Sequence, residues 1–109
     1  MKLVRLLAIA VGVLAGPYAN ASSTAVVGLV TRLQTGLSTG VYINMDQDLA
    51  QLNCTPANSG QSLTLLPSHA QFKEVYATLV AGMLANRQMV VRIQEGTAGC
   101  MVMYVMLYQ

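Results

Sequence analysis

Charge is what this sequence has least of: four acidic and six basic residues among 109, or 9% of the chain, against 54% hydrophobic residues. Proteins that hold phosphate backbones by counterion release carry a basic patch or stripe, so a nucleic-acid partner of that kind is excluded. Tryptophan is absent, and phenylalanine and histidine each occur once. With a single histidine, His69, and two cysteines that do not form a CxxC pair, the chain lacks the ligand spacing of a zinc site. The carboxylates Asp46, Asp48, Glu74 and Glu95 form no recognisable acid/base arrangement. The reading is a protein without catalytic residues, metal or cofactor. No apolar run reaches the roughly 20 residues that a membrane-spanning helix needs, so membrane insertion is not expected.

What is present begins with an export signal. Lys2 and Arg5 precede an apolar run from Leu6 to Ala15, Pro17 breaks it, and Ala19-Asn20-Ala21 offers small residues at alternate positions for cleavage. The expectation is a signal peptide over residues 1–21 and one secreted or periplasmic domain over 22–109. Removing the signal takes Lys2 and Arg5, so six minus two leaves four bases against four acids, and the mature domain is formally neutral. Its 109 minus 21, or 88, residues suffice for one small core that is marginal without extra support. Cys54 and Cys100 both fall in this exported part, where disulfides form and persist. They read as one bridge, for which chain-entropy arguments give about 4 kcal/mol.

Along the mature chain, Thr24 to Leu33 reads as a first strand, Gln34 to Gly40 as a turn, and Val41 to Met45 as a second strand with Val41, Ile43 and Met45 on one face. A polar loop from Asp46 to Gln61 follows. Asp46-Gln47-Asp48 lacks the glycine and third ligand of a calcium loop and reads as a solvated turn. Asn53-Cys54-Thr55 matches a glycosylation pattern, but its middle residue is assigned to the bridge. Ser62 to Leu66 is a third strand.

The strongest periodicity comes next: Phe72, Val75, Tyr76, Leu79, Val80, Met83 and Leu84 recur at the spacing of one helical face. Ser68 with Gln71 fits a capping box, which predicts a helix from near His69 to around Asn86, with His69 a surface residue of its first turn. The opposite face carries small residues, Ala77, Thr78, Ala81, Gly82 and Ala85. Met89 to Gln94 is a fourth strand, Glu95 to Cys100 a turn, and Met101 to Tyr108 a fifth strand, apolar on both faces. Simple alternation puts Val102, Tyr104, Met106 and Tyr108 on one side of it.

Three strands, a helix and two strands is the order of the OB-fold, a five-stranded barrel with a helix between strands three and four. The alternative is an open antiparallel sheet with one packed helix. The run Ser68-His69-Ala70-Gln71-Phe72-Lys73-Glu74-Val75-Tyr76, followed by Asn86-Arg87-Gln88-Met89-Val90-Val91-Arg92-Ile93, resembles the pentameric B subunits of bacterial toxins of the subtilase cytotoxin and typhoid toxin type, and related small exported proteins. That resemblance implies an OB-fold, a ring of identical subunits, and glycan binding in which a serine in the loop before the second strand contacts an acidic sugar. The matching position is Ser38 in Leu37-Ser38-Thr39-Gly40-Val41-Tyr42, which makes Ser38, Thr39 and Tyr42 the expected ligand-binding residues.

Two functional classes follow: a binding module for a glycan or a protein surface, and a structural oligomer without a soluble ligand. Apolar surface beyond a few hundred Å² is uncommon on monomers. A homo-oligomer is therefore expected, pentameric if the resemblance holds, with Ala77, Ala81 and Ala85 on the helix and Tyr104, Met106 and Tyr108 on the last strand at its interface.

Overall fold

The computed structural model describes residues 23–108. The expected signal peptide lies outside them. Two antiparallel three-stranded sheets and one helix enclose the core. The first strand of the sequence reading is two strands, β1 (Ala25–Gly28) and β2 (Val30–Leu37), divided only by Leu29. Asp46 makes the bend: its carboxylate accepts from the Leu29 amide at 2.8 Å, while its own amide donates to the Leu29 carbonyl at 3.0 Å. A Cβ on Gly28 would collide with that carboxylate. Asp46 is thus a structural acceptor, and Asp48 likewise accepts from the Ala50 amide at 2.9 Å to cap a 3-10 turn over Leu49–Gln51. Both are exposed, as a solvated turn requires, and each also holds a backbone amide.

Strand β2 runs to Leu37, three residues past the Gln34 at which a turn was expected, and pairs with β3 (Gly40–Met45), which pairs in turn with β5 (Leu63–Leu65). Val41, Ile43 and Met45 of β3 are buried, as alternation predicts. Buried Ser62 donates to the side-chain oxygen of Asn44, which accounts for a hydroxyl in the interior. In the second sheet the order is β1, β6 (Met89–Ile93) and β8 (Val102–Leu107). A short parallel pair, β4 (Thr55–Pro56) with β7 (Ala98–Gly99), joins the β3–β5 connection to the β6–β8 connection. Neither three-stranded sheet closes on itself. They share the continuous β1–β2 segment, and a parallel bridge from Thr64 to Met101 joins their other edges, with the Thr64 amide donating to the Cys100 carbonyl at 3.2 Å.

The helix, α1 (Phe72–Leu84), starts three residues later than predicted, with Gln71 at its N-cap and no capping side chain. The Ser68–Gln71 box does not form because His69 takes over the turn. Its Nδ1 accepts from the Gln71 amide at 3.0 Å, and its Nε2 lies 2.7 Å from the Met103 carbonyl oxygen. Together these contacts specify the neutral tautomer with the proton on Nε2. His69 therefore precedes the helix and ties it to β8 instead of decorating its surface. At the other end Asn86, at φ 53°, closes a Schellman motif: Asn86 donates to the Met83 carbonyl at 3.2 Å and Arg87 to the Gly82 carbonyl at 3.0 Å.

The buried stripe of α1 is the one read off the sequence at Val75 and Leu79, with Phe72, Tyr76 and Met83 packed against the core, and it departs from that reading at Gly82 and Leu84. Val75, Leu79 and Gly82 are buried, whereas Leu84 is 78% exposed. Gly82 does not belong to the small-residue outer face. A Cβ there would strike the Met89 sulfur and sit 3.2 Å from Leu107, so glycine is what lets the helix rest on β6 and β8. A bulge corrects the last strand too: Arg92 pairs with Tyr104 but Ile93 with Val102, so Met103 is extra and alternation breaks there. Val102 turns into the core, away from the exposed side that Tyr104, Met106 and Tyr108 share.

Cys54 and Cys100 are bonded, their Cα atoms 5.2 Å apart across a sequence separation of 46. Cys100 is fully buried in the core. Such a bond suits an oxidising compartment. No helix among the described residues is long and apolar enough to cross a membrane.

Candidate functional site

The site expected at Ser38, Thr39 and Tyr42 is built on the β2–β3 hairpin. Gly36 and Gly40 flank its tip with φ of 84° and 124°, values that L side chains rarely adopt. At Gly40 a Cβ would also run into the Leu65 carbonyl, so the residue lets β3 lie close to β5. The tip places Ser38 and Thr39 in the open, and Tyr42 follows on the half-buried side of β3. Thr39 Oγ1 donates to the Tyr42 hydroxyl at 3.5 Å, a long and weak bond.

All three residues line one cleft of about 590 Å³. Its opposite wall comes from residues the sequence reading did not assign: Thr55, Pro56, Ala57 and Asn58 on one side of the disulfide, Ala98 and Gly99 on the other. Thr64, Leu66, Pro67 and Met101 complete the lining. The two segments of the far wall are held together by the β4–β7 pairing, by the Thr55 amide donating to the Thr97 carbonyl at 3.0 Å, and by the Cys54–Cys100 bond.

That wall stores conformational strain. Asn58 and Ser59 both have left-handed backbones, at φ 55° and 58°, and Gly60 follows at 85°. For residues with a Cβ this region costs about 1–2 kcal/mol each, and it persists where the surroundings over-determine it, often at ligand clamps. Here the clamp is a two-way bond between Ala57 and Ser62: the Ala57 amide donates to the Ser62 carbonyl at 2.8 Å, and the Ser62 amide to the Ala57 carbonyl at 3.0 Å. Gly99, paired with Pro56 on the same wall, is also left-handed, at φ 86°, and a Cβ there would lie 2.9 Å from Thr64 Oγ1.

No charged side chain lines the cleft. It presents hydroxyls from serine, threonine and tyrosine and one amide, over apolar surface from Pro56, Leu66, Pro67 and Met101. Among the described residues, no group of three His, Cys, Asp or Glu side chains is placed as metal ligands would be. A second hollow of about 430 Å³ lies beside the hairpin, lined by Thr35, Leu37, Val41, Phe72 and Tyr76 among others. The last two rings stack at a centroid distance of 6.2 Å with planes 2° apart.

The residues expected at a subunit interface do not join the cleft. Ala77, Ala81 and Ala85 are exposed on the outer side of α1, while Tyr104, Met106 and Tyr108 project from β8, and the two surfaces are separate because α1 packs on the Leu107 side of that strand.

The far wall of the cleft was open to prediction by one route. A bond between Cys54 and Cys100 necessarily brings residues 55–58 beside residues 98–101. Nothing in the local sequence, by contrast, points to Thr64 or Leu66 as lining residues. Comparison with known proteins gives no match, whether to a family model, a curated protein or a solved structure.

Proposed function

We propose that this chain is an exported, non-catalytic binding module that takes a glycan in the cleft between the β2–β3 turn and the Thr55–Asn58 wall. The observation that carries this reading is the meeting of Ser38, Thr39 and Tyr42 with Ala98 and Gly99 in one hollow of about 590 Å³. Ligand pockets span roughly 300–1,000 Å³, which suits a short saccharide better than a flat protein surface. In OB-folds, ligands bind at the loop after the first strand, at the loop before the fifth, and on the sheet between them.

An OB-type barrel is part of the same proposal. Its support is the strand circuit: β1–β2 serves as one bent strand, followed by β3 and β5, then the parallel Thr64–Met101 contact to β8, then β6 and back to β1. The resemblance of the Ser68–Tyr76 and Asn86–Ile93 runs to toxin B subunits is the ground on which Ser38 is given the ligand role.

Self-association accompanies this function, favoured by the apolar surface of the β1–β6–β8 sheet. Val27 pairs with Val90, and Val90 with Met106, in one row across it, with Tyr104 and Tyr108 on β8 alongside. The ligand proposal is tested by the double substitution Ser38→Ala with Tyr42→Ala. Loss of hydrogen bonds and ring contact should weaken glycan binding by about tenfold or more. Unchanged affinity for a glycan that the parent binds would place the site elsewhere.

A further inference from the structure

Resting on the glycan-binding reading, we infer that the hollow of about 430 Å³ beside the hairpin is a second sugar subsite, so that the ligand is an oligosaccharide bending around the β2–β3 turn. The two hollows lie on opposite sides of that turn. Alternation along β3 sends Tyr42 to the first and Val41 to the second, and Ser38 and Thr39 line the first while Thr35 and Leu37 line the second. One residue belongs to both: Pro67, exposed just past the end of β5. A ligand leaving the cleft over Pro67 therefore enters the second hollow.

That hollow has the chemistry a sugar ring uses. Phe72 and Tyr76, about one helical turn apart on α1, hold their rings parallel and pack against the core. They are oriented before a ligand arrives, so binding sacrifices little side-chain freedom. Aromatic rings carry negative charge on their faces, which attracts the polarised C–H groups on one side of a hexose. The hydroxyls of Thr35 and Tyr76 have no side-chain hydrogen bond to another described residue, which leaves them for the hydroxyls of the sugar. The hollow is also of ligand-pocket size, and it stays open although its wall is mostly apolar: Leu37, Phe72 and Tyr76 are only half-buried between the first turns of α1 and the core-facing side of β3. A monosaccharide held at Ser38 is on the wrong side of the hairpin to touch these rings, whereas a longer chain passing Pro67 reaches them.

The test is an array carrying each terminal sugar, neutral and acidic, both as a monosaccharide and at the end of longer chains, probed with the disulfide-bonded protein. Chains should bind about tenfold or more tighter than the matched monosaccharide, or be the only ligands bound. Two variants that keep the circular dichroism of the parent then address the second hollow from different walls. Thr35→Trp fills it from an exposed strand position that tolerates an aromatic residue, and Tyr76→Leu keeps apolar bulk but removes the ring and its hydroxyl. Either should abolish the advantage of the longer chains. Equal affinity for monosaccharide and chain, or an advantage that survives both substitutions, overturns the inference, while loss of all binding in the Ser38→Ala/Tyr42→Ala variant would still leave the first cleft as the glycan site. Absence of binding to any glycan, or binding that the double variant does not alter, overturns the underlying reading and the inference together.

Discussion

A glycine can be required for its backbone conformation alone or for a close approach as well, and Gly96 and Gly99 separate the two contributions. Gly96 has φ 71° with open space where a Cβ would point, whereas Gly99 has φ 86° and would place that Cβ 2.9 Å from Thr64 Oγ1. Gly96→Ala should cost about 1 kcal/mol from the backbone alone. Gly99→Ala should cost about 1–2 kcal/mol more, because Thr64 is only 4% exposed and has little room to move. Urea denaturation of the two variants isolates the contact by difference. Equal losses would mean that the β5–β7 approach is looser than the geometry indicates. Only Gly99→Ala should also weaken ligand binding, since Gly99 lines the cleft and Gly96 does not.

At the scale of elements, the disulfide does two jobs. It closes a long loop, and it fastens β4 to β7, each only two residues long and unable to hold a wall by itself. Replacing both cysteines by alanine should lower stability by about 2–4 kcal/mol on chain-entropy grounds. Binding should fall before the fold is lost, because Thr55 and Gly99, the cleft-lining neighbours of the two cysteines, lose the bond that holds their segments together. The protein purified from an oxidising compartment, alkylated without reductant and weighed by mass spectrometry, should show no modified thiol. Two modified thiols per chain would show that the bond does not form. His69 plays a comparable role at the start of α1, where it bonds the turn to β8 through Met103 in place of a capping box.

For the whole molecule, the outer surface is less polar than solvent alone would favour. Met106 is 49% exposed and Tyr108 52% on β8, Val27 is 42% exposed on β1, and Leu84 joins Ala77, Ala81 and Ala85 on the outer side of α1. Beyond Met103 the outer edge of β8 has no strand partner among the described residues, a feature that isolated domains usually blunt with charge or cover. The protein should therefore run as a homo-oligomer in light scattering at micromolar concentration. Met106→Glu, at an exposed position, should keep the circular dichroism of the parent and lower the mass, with Ala81→Glu as the corresponding test of the helix. A parent that is folded, soluble and monomeric would refute self-association.

Periodicity and composition by themselves determined the main strands and their order, though not the break at Leu29 or the short β4–β7 pair, and they also determined the buried face of β3, the existence of α1 and the pairing of the only two cysteines. Those features follow from local spacing and from simple counting, which do not depend on how elements meet. Only the tertiary structure decided where α1 begins, that Gly82 lies inside it and Leu84 outside, and which way Val102 faces. His69 displaced the capping box because Met103 lay within reach, Gly82 went inward because Met89 and Leu107 demanded close approach, and one extra residue at Met103 reversed the alternation of β8. The cleft divides in the same way: Ser38, Thr39 and Tyr42 share a hairpin that can be read from residue types, whereas Thr64, Leu66 and Met101 meet them only because strands distant in sequence converge. Contacts of that kind depend on the packing of the whole chain, and no short window of sequence contains the residues that make them.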